Sequence, residues 1–133
     1  MEEKIFDLQE AHFKACLQLW KDNGFPPEHD FELRLKAFLK ANPGLSKVAL
    51  EGEECIGVAL CSENGFSGYI FRLVVDEAHR GSGLGFRLIT GCEESLSKRG
   101  IQKLFVNAEP KLVPWYTRMG FSETEALFLY KFI

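Results

Sequence analysis

Along this chain the spacing of apolar residues switches between patterns that suit strands and patterns that suit helices. Lys4 to Gln9 reads as a short strand. From Glu10, the residues Phe13, Cys16, Leu17 and Trp20 recur at helical spacing until Asn23-Gly24 ends the run. Pro26-Pro27 then predicts the start of a second helix, with Phe31, Leu35, Phe38 and Leu39 on one face and Asn42-Pro43-Gly44 as its stop. Strands are expected over Ser46 to Glu51 and Glu54 to Cys61, around a turn at Gly52-Glu53. Asn64-Gly65 marks another turn. The run from Gly68 to Val75 is rich in β-branched and aromatic residues and gives the clearest strand.

Further on, Leu84, Leu88, Cys92 and Leu96 recur every four residues down one helix face, and Gly100 caps its end. Lys103 to Asn107 reads as a strand and Pro110 to Met119 as a short helix. Gly120-Phe121 then turns the chain toward closing strands at Phe121 to Thr124 and Leu127 to Phe132. The predicted order is β-α-α-β-β-β-α-β-α-β-β, a mixed α/β sheet with helices on its faces.

Composition narrows the class. The 133 residues fit a single domain over 1–133. Apolar residues at 46% and charged residues at 26% exclude a disordered, collagenous or coiled-coil chain. Net charge is 16 − 19 = −3, with a pI near 5.6, which argues against nucleic-acid or membrane-surface partners. No apolar run approaches the ~20 residues of a membrane span. The acidic start, Met1-Glu2-Glu3-Lys4, does not read as a signal peptide. Cys16, Cys55, Cys61 and Cys92 show no metal-ligand spacing, and Cys16 and Cys92 fall on apolar helix faces. A cytoplasmic protein with reduced thiols and no metal is expected.

The chemistry-bearing segment is Val75-Asp76-Glu77-Ala78-His79-Arg80-Gly81-Ser82-Gly83-Leu84-Gly85-Phe86, between the clearest strand and the clearest helix. Its glycines allow a sharp turn and leave N–H groups uncovered. Together with the helix N-terminus these suit a phosphate or pyrophosphate, to which Arg80 can add a charge-assisted contact. Phe86 stands where the dinucleotide fingerprint needs glycine, and no Gly-Lys-Ser/Thr ending marks a nucleotide-triphosphate loop. Both nucleotide readings fail.

Arg80, Gly83 and Gly85 do meet the pattern R/Q-x-x-G-x-G/A, and the chain here resembles the GCN5-related N-acetyltransferase (GNAT) family. Trp115-Tyr116-Thr117-Arg118-Met119-Gly120-Phe121 is similar to that family's FYxxxGF segment. The likeness covers essentially the whole length and suggests a small single-domain, bacterial-type member. It implies a GNAT-like fold: a mixed, mostly antiparallel central sheet flanked by about four helices. It also implies acetyl-CoA as cosubstrate and an amine that attacks the acetyl thioester directly in a ternary complex. Leu73, Val74 and Val75 would lend backbone groups to the pantetheine arm, with an N–H near Leu73 or Val74 as oxyanion donor. Arg80, Gly81, Ser82, Gly83, Leu84 and Gly85 would hold the pyrophosphate.

By the same resemblance Tyr116 is the general acid for the departing thiolate. The attacking amine must be neutral, although a pKa near 10.4 leaves it about 99.9% protonated at pH 7. Relatives commonly place a Glu two residues before the Leu at 73; Phe71 stands there, so that base is missing. Glu109 is the alternative base or substrate contact, against a reading as a solvated capping carboxylate before Pro110. The acceptor, a small-molecule or protein amine, would meet the segment Asn23-Gly24-Phe25-Pro26-Pro27 and the strand near Phe71. Asp22, Glu28 and Asp30 would favour a cationic amine or simply complement a helix start. A different class remains open, a CoA-binding sensor or interaction domain that has lost catalysis. Monomer and homodimer are both compatible, the last strand being able to pair across a dimer axis.

Overall fold

The computed structural model describes residues 3–133. Five strands, β1 (Glu3–Asp7), β2 (Lys47–Glu51), β3 (Glu54–Glu63), β4 (Gly68–Val75) and β5 (Leu104–Val106), form one sheet in the order β1-β2-β3-β4-β5. The first four pair antiparallel, while β4 and β5 run parallel. Helices α1 (Phe13–Asp22) and α2 (Phe31–Ala41) cover one face, burying Phe13, Cys16, Trp20, Phe31 and Leu35 against Val58, Leu60 and Val74. On the other face α3 (Leu84–Lys98) packs Leu84, Leu88, Cys92 and Leu96 onto Ile56, Ala59 and Ile70. With α4 (Val113–Thr117) this is the expected α/β sandwich: a mostly antiparallel mixed sheet flanked by four helices.

Two expectations are corrected. The second helix starts at Phe31, not at Pro26-Pro27. Each proline disfavours the helical region for its predecessor, so no helix forms over residues 25–28 and the chain enters α2 through Asp30 at φ 65°. The closing strands predicted at Phe121–Thr124 and Leu127–Phe132 do not form. That segment leaves Leu127, Leu129 and Phe132 at least 85% exposed, although Phe128 stacks on Tyr69 at 6.0 Å between centroids. A strand needs a paired edge, and β5 offers only three residues of it.

Strand β3 carries a bulge where Ala49 faces Gly57 and Leu50 faces Cys55, leaving Ile56 as an extra residue. Cys55 and Cys61 lie six positions apart and would otherwise share a face. The bulge sends Cys55 to the α1 side, with its sulfur 3.6 Å from that of Cys16, and Cys61 to the α3 side beside Cys92.

Candidate active site

A second bulge shapes the site. Leu60 faces Arg72 and Cys61 faces Ile70, so Phe71 is the extra residue of β4. Pairing of β4 with β5 stops at Ile70–Val106, beside this bulge. From Phe71 to Val75, strand β4 therefore has a strand neighbour on the β3 side only. Leu73, Val74 and Val75 all lie on this parted stretch. Their side chains anchor it, Val74 in the α1–α2 core and Leu73 and Val75 against the α3 core, while the outer backbone edge faces the gap.

Chain direction then reverses in the loop from Asp76 to Gly83. Gly81 and Gly83 both have φ +83°, and an added Cβ would meet nothing within 4 Å at either position. Open space surrounds the turn; the glycines are required by backbone conformation alone. The first α3 bond runs from the Arg87 N–H to the Gly83 carbonyl. Among the described residues, no N–H from Gly81 through Phe86 donates to a protein acceptor. Six successive donors at the N-terminus of a 15-residue helix make a cradle suited to an anion. Gly85 has a different reason for lacking a side chain: a Cβ there would sit 3.0 Å from the Trp115 ring, so glycine lets α4 close onto α3.

Arg80, Gly81, Ser82, Gly83, Leu84 and Gly85 are thus contiguous, but Arg80 does not reach freely outward. Its Nε donates to the Val75 carbonyl at 3.1 Å and its Nη2 to Asn23 Oδ1 at 3.2 Å. It ties the end of β4 to the end of α1. Behind it, His79 lies 3.2 Å from Asp76 and 3.4 Å from Glu51. The Asp76 hydrogen bond, with help from Glu51, outweighs burial and raises the His79 pKa. Burial pushes Asp76 up, yet the hydrogen bonds from His79 and Asn23 together hold it below its ordinary value. Glu3 completes this ionic strut through Arg87 at 2.5 Å, and Glu3, Glu51 and His79 bring their polar atoms within 4.8 Å of one another.

Tyr116 is buried on α4, edge-on to Trp115 at 4.9 Å and to Phe121 at 5.5 Å. Burial raises its phenol pKa, so the group keeps its proton through the physiological range. Glu109 stands before α4, 69% exposed, with Lys111 3.5 Å away and no capping hydrogen bond to the helix turn that follows. An open groove of about 1420 Å³ runs along β5 between Tyr69, Val106, Tyr116 and the C-terminal segment. It includes neither Leu73–Val75 nor the glycine loop, and it occupies the side where the two closing strands were expected.

Sequence reasoning passed over Arg72. The bulge turns it toward α1 and α2, where its guanidinium carbon lies 5.3–5.8 Å from the ring centres of Phe71, Phe31, Phe25 and Trp20. Alternation along β4 gives two answers, the α1–α2 face when read back from Val74 and the α3 face when read on from Ile70, and only the bulge at Phe71 decides between them.

Comparison with known proteins bears on this arrangement. The acetyltransferase (GNAT) domain family matches residues 32–133. A glucosamine 6-phosphate N-acetyltransferase of Oryza sativa subsp. japonica is 39% identical over 56 residues, which is 42% of this chain and 34% of that protein. N-alpha-acetyltransferase 30 of Schizosaccharomyces pombe is 27% identical over 101 residues, 70% of this chain and 67% of its own length. In fold, a Trypanosoma brucei acetyltransferase structure superposes with a TM-score of 0.81 at 21% identity, covering 98% of this chain and 100% of that one.

Proposed function

This chain belongs to the GNAT acetyltransferase family, and we propose that it transfers the acetyl group of acetyl-CoA to a primary amine by direct attack in a ternary complex. The observation that carries this reading is the run of six unpartnered N–H donors, Gly81 to Phe86, directly after a strand parted from its neighbour. Acetyl-CoA supplies the activated thioester. The loop N–H groups take the pyrophosphate, and the outer edge of Leu73, Val74 and Val75 lines the pantetheine arm, with one N–H there as oxyanion donor. Arg80 acts as a brace that holds the loop against Val75 and Asn23 rather than as a free phosphate ligand.

Tyr116 holds its proton on Oη and gives it to the departing sulfur; with a phenol raised above about 10 and a thiol near about 8.5 this transfer runs uphill, and it is completed when the phenolate regains a proton from solvent. Glu109 takes the amine proton, directly or through water, from its exposed position before α4. Small-molecule and protein amines are both admissible acceptors, since the relatives include proteins named for glucosamine 6-phosphate and for N-alpha acetylation. A CoA-binding sensor is the second reading, favoured by Phe71 in the place of a strand carboxylate and by the pairing of Glu109 with Lys111.

Calorimetric titration with acetyl-CoA, followed by CoA release in the presence of an amine panel, tests both. Micromolar binding with turnover is expected. Binding without turnover of any amine selects the sensor, and no binding refutes both. Glu109→Gln should shift the acid limb of the pH–rate profile; an unmoved limb removes Glu109 as the base.

A further inference from the structure

Arg72 sits on β4 immediately before Leu73, at the bulge where β5 departs, and so borders the acceptor end of the gap. Four rings frame its guanidinium: Trp20 of α1, Phe25 of the α1–α2 connection, Phe31 of α2 and Phe71 beside it. Such a frame holds the cation by its faces and leaves the N–H edges as the polar surface. The side chain is only 17% exposed, yet the carboxylate of Glu28, itself 66% exposed, reaches Nη2 to 3.7 Å. That distance is too long for a hydrogen bond. A carboxylate carried on a solvent-facing segment therefore approaches the fork without being locked onto it. The same cluster contains Trp20 Nε1, the buried side-chain polar atom left without a hydrogen-bond partner among the described residues.

We propose that Arg72 is the acceptor-recognition residue, selecting amines that also carry a carboxylate or phosphate by binding that anionic group. The inference rests on the acetyltransferase reading above and names the substrate class of that same site. A cationic group is disfavoured there because the aromatic frame already holds a positive charge. An anion gains a preorganised fork of N–H donors and displaces only the loose contact with Glu28. The acidic residues of the connection, Glu28 among them, point instead to a cationic amine when read in sequence alone; the guanidinium behind Glu28 reverses that expectation.

Matched amines that differ only in the anionic group test the assignment. O-Phosphoethanolamine is compared with ethanolamine, and β-alanine with β-alaninamide, by CoA release in the presence of saturating acetyl-CoA. The anionic member of at least one pair should show kcat/KM roughly tenfold higher or more, as a charge-assisted contact worth about 1.4 kcal/mol requires. Whichever pair shows it tells phosphate from carboxylate. Arg72→Met should bring the ratio close to one through KM, leaving acetyl-CoA affinity unchanged, and Arg72→Lys should recover only part of it. Should Arg72→Met fail to fold, Glu28→Gln serves: removing the competing carboxylate should lower KM for the anionic member alone. Neutral amines used as well as their anionic partners, or Arg72→Met weakening both members equally, would overturn the assignment and leave the acetyltransferase reading standing. An unchanged or raised KM for the anionic member in Glu28→Gln would do the same. Failure to bind acetyl-CoA overturns the acetyltransferase reading itself, and the assignment with it.

Discussion

Replacing Gly83 separates the electrostatics of the loop from its backbone conformation. Gly83 has φ +83° and ψ 7°, and a Cβ would meet nothing within 4 Å, so any substitution acts through strain and charge rather than through packing. Left-handed conformation costs an ordinary residue roughly 1–2 kcal/mol, and Asn and Asp less, because their short polar side chains visit it readily. Gly83→Asn and Gly83→Asp should thus lose similar stability, about 1 kcal/mol or a few degrees in Tm. Only Asp brings a charge. A carboxylate about 4 Å from a pyrophosphate oxygen is repelled by about 1 kcal/mol in water and about 4 kcal/mol at an effective dielectric near 20. Gly83 is exposed, which places the penalty between these limits, or roughly five- to 700-fold in affinity. Calorimetric titration with acetyl-CoA at low and high salt should show Asn close to wild type, Asp far weaker, and part of the Asp deficit recovered by salt. Equal losses for Asn and Asp, or Asp within about twofold of wild type, would refute an anion site at this loop.

The remaining predictions concern the acid, the strut and the strand. Tyr116→Phe keeps the ring between Trp115 and Phe121 and should lower kcat by roughly 10²-fold at unchanged acetyl-CoA affinity; an unchanged rate removes Tyr116 as proton donor. The raised pKa of His79 means that its stabilising contribution is complete below its unfolded value of about 6.5 and is lost as pH rises through the higher folded value. His79→Gln should consequently lower the unfolding free energy read from urea curves at about pH 6 by no more than about 1 kcal/mol, and converge with wild type in alkali. A constant difference across that range would contradict the ion pairing with Asp76 and Glu51. Gly68→Ala places a methyl 2.5 Å from Leu96 Cδ1 in the packed α3 face and should destabilise by about 1–3 kcal/mol in thermal melts; a neutral effect would show that Leu96 can yield.

Much of the molecule follows from local pattern. The strand Gly68–Val75 and the helix Leu84–Lys98 appear with the bounds or the face that periodicity predicts, because each carries a complete apolar surface of the right repeat. The loop between them is legible for the same kind of reason, since positive φ at residues 81 and 83 demands glycine and glycine is visible in a sequence. Family membership was likewise readable from Arg80, Gly83, Gly85 and the Trp115–Phe121 segment, and the domain match over 32–133 agrees.

Pairing was not local. The C-terminal residues have a strand's composition, but a strand exists only against a partner edge, and the three residues of β5 do not engage them. The bulges at Ile56 and Phe71 escape periodicity as well, because an extra residue in one strand is defined only by its register with the next. Those two bulges decide the chemistry of the faces. One separates the cysteines into an α1 pair and an α3 pair; the other opens the gap beyond Ile70 and turns Arg72 into its aromatic frame. Sequence determined which residues could bind an anion and pack a core, since those properties belong to single side chains and short repeats. Tertiary structure alone decided which way they face, because facing is a property of two strands and not of one.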